Sequence, residues 1–177
     1  MKFVNQISVG DVVAIISLLF AIAGGTFGLY QWIMSIRTQR AKYINELTLM
    51  IRSDLDIRDI IYLLDYNQTD WYTEDFHCSG DLERKIDKTL SFFSYICYLK
   101  ESRLINNSDF RFFKYEIERA LVNPQVKNYF YNLYHFSNKY HCPITFYFLF
   151  EYGEKNHYFE EDFYNDKSTN YDHYLFF

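Results

Sequence analysis

Between Val12 and Met34 the sequence holds no Asp, Glu, Lys or Arg. At about 1.5 Å of rise per residue, a helix over that stretch crosses a hydrocarbon core about 30 Å thick with some tilt. A water-soluble fold would have to bury every side of such a helix, so the sequence is read as one membrane span followed by a domain. Ser8 and Asp11 precede the span in the Ser-x-x-Asp arrangement of a capping box. Tyr30 and Trp32 lie near its other end, where amphipathic rings favour the headgroup layer.

Within the span, Gly10, Ala14, Ser17, Ala21, Gly24, Gly28, Gln31, Ser35, Thr38 and Lys42 recur at alternating spacings of four and three. That periodicity places them on one helix face, and each is small or polar. The opposite faces carry Val12, Ile15, Ile16, Leu19, Phe20, Ile22 and Phe27. One side suits lipid; the other suits a neighbouring helix or water. Gly24-x-x-x-Gly28 has the spacing that lets two helix backbones approach closely, so the stripe predicts self-association.

Arg37, Arg40, Lys42 and Arg52 follow the span, whereas Lys2 alone precedes it. The positive-inside rule therefore puts the downstream domain in the cytoplasm and the N-terminus outside the inner membrane. Ala21-Ile22-Ala23 offers small residues for signal-peptide cleavage. The weakly basic start and the downstream cations oppose that reading, so the helix is read as retained. The organisation expected is 1–36 for the N-terminal segment and span, 37–152 for a cytoplasmic helical bundle, and 153–177 for a polar aromatic tail.

A net charge of -5 opposes general nucleic-acid binding, which calls for a basic face; direct sequence-specific binding is not expected. The chain has 18 Tyr and 18 Phe, enough to supply subunit contacts as well as a core. Cys78, Cys97 and Cys142 lack CxxC spacing and should be reduced in the cytoplasm. His77-Cys78 and His141-Cys142 could together offer four zinc ligands. Adjacent ligands wrap one metal poorly, so two unconnected loops are the simpler reading.

Between Gly28 and Gly80 there is neither Gly nor Pro, and the helical apolar pattern runs on through Ile44, Leu47, Ile51 and Leu55, then Ile57, Ile60, Ile61 and Leu64. The span should continue into a stalk, and the drifting register between Ile36 and Asp54 leaves room for a kink. Leu82, Ile86, Leu90, Phe93, Cys97 and Leu104 mark a further helix, and Phe112, Phe113, Ile117, Ala120 and Leu121 another. Asn123-Pro124 reads as an N-cap with proline at the first helical position, opening a helix through Val126, Phe130, Leu133 and Tyr134. His141-Cys142-Pro143 closes it. For 144–152 the periodicity leaves helix and strand open; the tail should be irregular.

Small helical RNases carry an Arg-x(4-6)-His motif, and no Arg stands at that distance before His77, His135, His141, His157 or His173. Arg119 and His135 are the remaining nuclease candidates, if adjacent helices bring them together. No phosphate-cradling loop, catalytic triad order or HExxH is present, and no cofactor is implied. Asp56, Asp59 and Arg52 would share a helix face as a solvated ion-pair network.

A short outward N-terminus, one glycine-bearing span, Arg37 to Lys42 at the inner boundary and an aromatic helical bundle together resemble the small membrane accessory proteins encoded beside the RNA-guided RNase of type VI-B CRISPR-Cas systems. Ile86-Asp87-Lys88-Thr89-Leu90-Ser91-Phe92-Phe93 is also similar to the helix that opens the bundle in a wider group of bacterial membrane proteins. The likeness covers nearly the whole chain and rests on arrangement. It implies an all-α, degenerate helical-RNase-like domain, a ring-shaped homo-oligomeric pore in the inner membrane, and enhancement of antiphage defence by depolarisation. Helices about 10 Å wide enclose a water-filled lumen only from about six upward, so a ring of about six to ten copies is expected. The alternatives are a membrane-anchored RNase and a non-conducting scaffold for a partner nuclease.

Overall fold

The structure is a computed structural model and describes residues 9–66, 70–78 and 80–174. It is all-α, with six α-helices among those residues. The chain divides into two compact units, Met1–Asn45 and Glu46–Phe177, which are taken in turn.

Helix α1 runs Val9–Ser53 and supplies all of the first unit's described residues. It is long because nothing in it breaks it: its four glycines are set among apolar residues, and no proline occurs. By length and composition it fits a single membrane span or a signal sequence, and its most apolar window is wholly unburied. That lack of burial sets it apart from the core helix of a soluble domain. Two of its threonine hydroxyls are satisfied locally, Thr26 Oγ1 donating to Ala23 O at 2.9 Å and Thr38 Oγ1 to Met34 O at 3.0 Å. Such bonds remove the cost of carrying a hydroxyl into an apolar medium. The capping box read at Ser8 falls outside the described residues.

The second unit begins with the last turns of α1 and continues into α2, Leu55–Tyr66. The break in the pattern lies at Asp54. Its backbone keeps the helical bonds, Asp54 N to Met50 O and Arg58 N to Asp54 O, both 3.0 Å. Its carboxylate meanwhile accepts from Asp56 N at 3.0 Å and Ile57 N at 3.2 Å, capping α2. Ile57, Ile60 and Leu64 then turn inward.

Helix α3, Asp81–Glu101, is central to the bundle and packs against α2, α6 and α4. Ile86, Leu90, Phe93 and Cys97 are buried as their spacing predicts. Leu104 is not part of this helix. The chain reverses after Glu101 through Arg103 at φ 58, with Leu104 N and Ile105 N both bonding to Leu99 O, so Leu104 points outward and Ile105 enters the core.

Helix α4, Asn107–Val122, opens with a reciprocal box in which Asn106 accepts from Asp109 N at 2.9 Å and Asp109 accepts from Asn106 N at 3.0 Å. Phe113, Ile117, Ala120 and Leu121 are fully buried, but Phe112, one step round the helix, is 65% exposed. Helix α5, Pro124–Tyr140, is capped as expected, Asn123 accepting from Gln125 N and Val126 N, and ends at His141 in the left-handed region. The open choice at 144–152 resolves as a helix, α6, Tyr147–Lys155.

The tail is ordered by packing rather than by periodicity. A short 3-10 turn at Glu161–Tyr164 buries Phe163, and Phe159 stacks on it at 4.5 Å. Two asparagines on α5 then hold the final described residues. Asn128 Oδ1 accepts from Asp172 N at 3.0 Å, and Asn132 accepts from Tyr174 N at 2.9 Å while donating to Asp172 O at 2.7 Å.

Candidate functional site

The stripe residues Gly10, Ala14, Ser17, Ala21, Gly24, Gly28, Gln31, Ser35 and Thr38 all lie on α1 and are all exposed. Helix geometry brings them to one face, as their spacing requires. They divide into two series at seven-residue intervals, one starting at Gly10 and one at Ala14. A straight α-helix drifts about 20° per heptad, so contact along the whole stripe favours neighbours that coil gently left-handed around each other.

The glycines sharpen this point. A Cβ added at Gly24, Gly25 or Gly28 would meet nothing within 4 Å. Each glycine costs a helix about 1 kcal/mol relative to alanine, and no intramolecular contact here requires one. Arg37, Arg40 and Lys42 continue the same helix beyond Met34.

The two nuclease candidates have different partners. Arg119 donates through Nε to Asp65 Oδ1 at 3.1 Å and through Nη2 to the Asp65 carbonyl at 2.6 Å. His135 is buried, with Nε2 placed 3.0 Å from the carbonyl of Phe163. The two side chains line separate cavities.

Other expected groups also find specific neighbours. Asp54 and Asp56 are gripped from α3, with Lys88 Nζ at 2.7 Å from Asp54 Oδ2 and 2.9 Å from Asp56 Oδ2. The carboxyl of Asp54 is held below its usual range chiefly by that lysine. The acidic network read with Arg52 on one helix is thus a clamp between α2 and α3 for Asp56, whereas Asp59 pairs with Arg58 at 3.9 Å. His77 pairs through Nδ1 with Glu83 at 2.7 Å, and its Nε2 lies 3.3 Å from Tyr72 Oη. Among the described residues no group of three or more His, Cys, Asp and Glu is arranged to hold a metal. The side chain of Cys78 lies outside those residues.

The bundle also contains polar sites that periodicity did not single out. Tyr129 donates to Asp87 at 2.8 Å next to Tyr72, Phe76 and His77. Burial raises the pKa values of Asp87, Tyr72 and Tyr129, so this nest favours neutral groups. Asn128 and Asn132 could have been noticed from their i, i+4 spacing beside His135, a polar row on the face of α5 that is buried. No family model, curated protein or solved structure matches the chain.

Proposed function

We propose that this protein is a single-pass inner-membrane protein whose copies assemble side by side into a channel, with the helical bundle in the cytoplasm. The supporting observation is that Gly24 and Gly28 of α1 face open space in the single chain while lying on one small and polar stripe. Lipid gives no reason to keep such a stripe, whereas close helix packing and a water-lined path both do. Ring closure by about six to ten copies leaves a lumen bordered by Ser17, Gly24, Gln31 and Ser35. Exposed rings on the bundle, including Phe112 and Tyr115, provide further surface for contact between copies. Through its resemblance in layout to the type VI-B accessory proteins, the channel acts in antiphage defence, depolarising the membrane when an RNA-guided RNase has engaged phage transcripts.

The alternative of an anchored RNase needs Arg119 and His135 to serve one phosphate, and each is engaged elsewhere. The deciding experiment pairs oligomer size, by native mass spectrometry of the full chain in detergent, with a membrane-potential dye in cells carrying the activated nuclease. A particle of six or more copies together with dye response supports the channel. A monomer or dimer at all concentrations overturns it. Lysine substitutions add a contrast, since Ile16→Lys faces lipid and should cost about 2.5–3.5 kcal/mol near mid-membrane. Ser17→Lys should insert and shift ion preference. Equal failure of both to insert would reduce α1 to an anchor.

A further inference from the structure

The bundle holds a cation seated on aromatic rings, with a carboxylate, Glu118, acting on it only from beyond ion-pair distance. Lys100, in the last turn of α3, lies with Nζ 4.2 Å from the ring centroid of Phe110 and 4.6 Å from that of Tyr152. Among the described residues it makes no ion pair, in a chain of net charge -5 where acids are plentiful. It lines a cavity of about 330 Å³ whose wall includes the rings of Phe148 and Tyr152. Burial pushes its pKa down, and the more distant Glu118 offsets only part of that effect.

The same cavity has the opposite imbalance at another point. Glu101 and Glu151 both line it, and both lean on one ammonium, Lys155 Nζ, at 2.9 Å each. Two carboxylates therefore share a single counter-ion. Neither approaches Lys100 within ion-pair distance, so the two imbalances do not cancel each other. A simple anion would satisfy Lys100 but be repelled by the acid pair; a simple cation would meet the reverse. A molecule with both charges on a short frame answers both at once, and a flat or apolar group on it would cover the aromatic wall.

We propose that this cavity binds a small zwitterion of the α-amino-acid class, its carboxylate on Lys100, its ammonium on the Glu101–Glu151 pair and its side chain against Phe148 and Tyr152. The neighbouring thiol of Cys97 takes no part. It is buried and its pKa is pushed up to about 12, which keeps it protonated and unreactive. The site lies wholly within the bundle and stands whether or not α1 forms a channel.

The test titrates the full chain in detergent with three probes, L-phenylalanine, benzoate and phenethylamine, followed by ligand-observed NMR. Phenylalanine should bind with a dissociation constant of about 1 mM or below, at least about tenfold tighter than either single-charge probe. Lys100→Met and Glu151→Gln should each remove most of that advantage while leaving thermal unfolding cooperative. Should Lys100→Met fail to fold, Glu151→Gln decides, since Glu101 remains to hold Lys155. Equal binding of all three probes, or undiminished phenylalanine binding in a folded variant, would overturn the proposal.

Discussion

Ala21 and Ala23 allow a direct test of the α1 stripe. They are two residues apart and therefore about 200° apart around the helix, nearly back to back. Both are exposed in the single chain. Ala21 belongs to the stripe, whereas Ala23 lines a shallow apolar groove with Ile16, Leu19 and Phe20. Replacing either by leucine carries the same small helix-propensity cost, about 0.2 kcal/mol, so any larger difference must come from what faces each side. At Ala23 the new side chain enters the groove and then lipid, and assembly should be unaffected.

At Ala21 three added carbons would force neighbouring backbones apart by about 1–2 Å, from the close end of helix spacing to the wide end. If about 10–20 atom pairs lose contact at about 0.1–0.2 kcal/mol each, the loss is about 1–4 kcal/mol per interface. Each copy in a closed ring has two interfaces, so even the lower figure compounds. The assay is oligomer size by native mass spectrometry over a protein dilution series, with dye response as the functional readout. Ala21→Leu should dissociate at a concentration at least about tenfold higher than wild type, and Ala23→Leu at the same concentration as wild type. Identical behaviour of the two variants would refute the argument that the stripe is a packing face.

Three further outcomes test the bundle. A Cβ at Gly153 would lie 2.6 Å from Phe159 Cε2 and 3.3 Å from Leu121 Cδ2, so Gly153→Ala should lower stability to denaturant by about 1–3 kcal/mol despite its better helix propensity; an unchanged or raised midpoint would contradict that packing. Asn132→Leu deletes the bonds to Asp172 and Tyr174 and should cost about 1–3 kcal/mol, with hydrogen exchange rising first at 172–174; retained protection there would show that the tail is held by its aromatic contacts instead. Asp87 has its pKa raised by burial, so the folded state binds its proton more tightly than the unfolded state does. Its contribution is fully present below the unfolded value near 3.9 and is lost as pH rises through the raised folded value. Asp87→Asn keeps an acceptor for Tyr129 and should therefore stabilise the fold at pH 7–8, the gain shrinking toward pH 4. A gain that grows on acidification would reverse the sign and refute the assignment.

Some parts of this protein are decided by neighbours along the chain, and these could be read from the sequence. An uncharged apolar run must form a helix because an unpaired backbone in an apolar medium is too costly, and the α1 stripe follows from its spacing alone. The caps at Asn106 and Asn123 are equally local, each a side chain bonding to the backbone two or three residues ahead. The core positions Ile86, Leu90, Phe93 and Ile117 follow from helical periodicity. Groups that meet across long chain separations could not be read in this way. Lys88 joins Asp54 and Asp56 from the next helix, the tail orders on Asn128 and Asn132, and Phe159 needs the bare backbone of Gly153. Arg119 and His135 show the same limit, since their spacing left open whether they meet and only the folded bundle gave Asp65 to one and Phe163 to the other. The cavity around Lys100 likewise exists only where α3, α4 and α6 converge. A one-dimensional period records which face a residue occupies, whereas the partner on that face is set by how the helices dock.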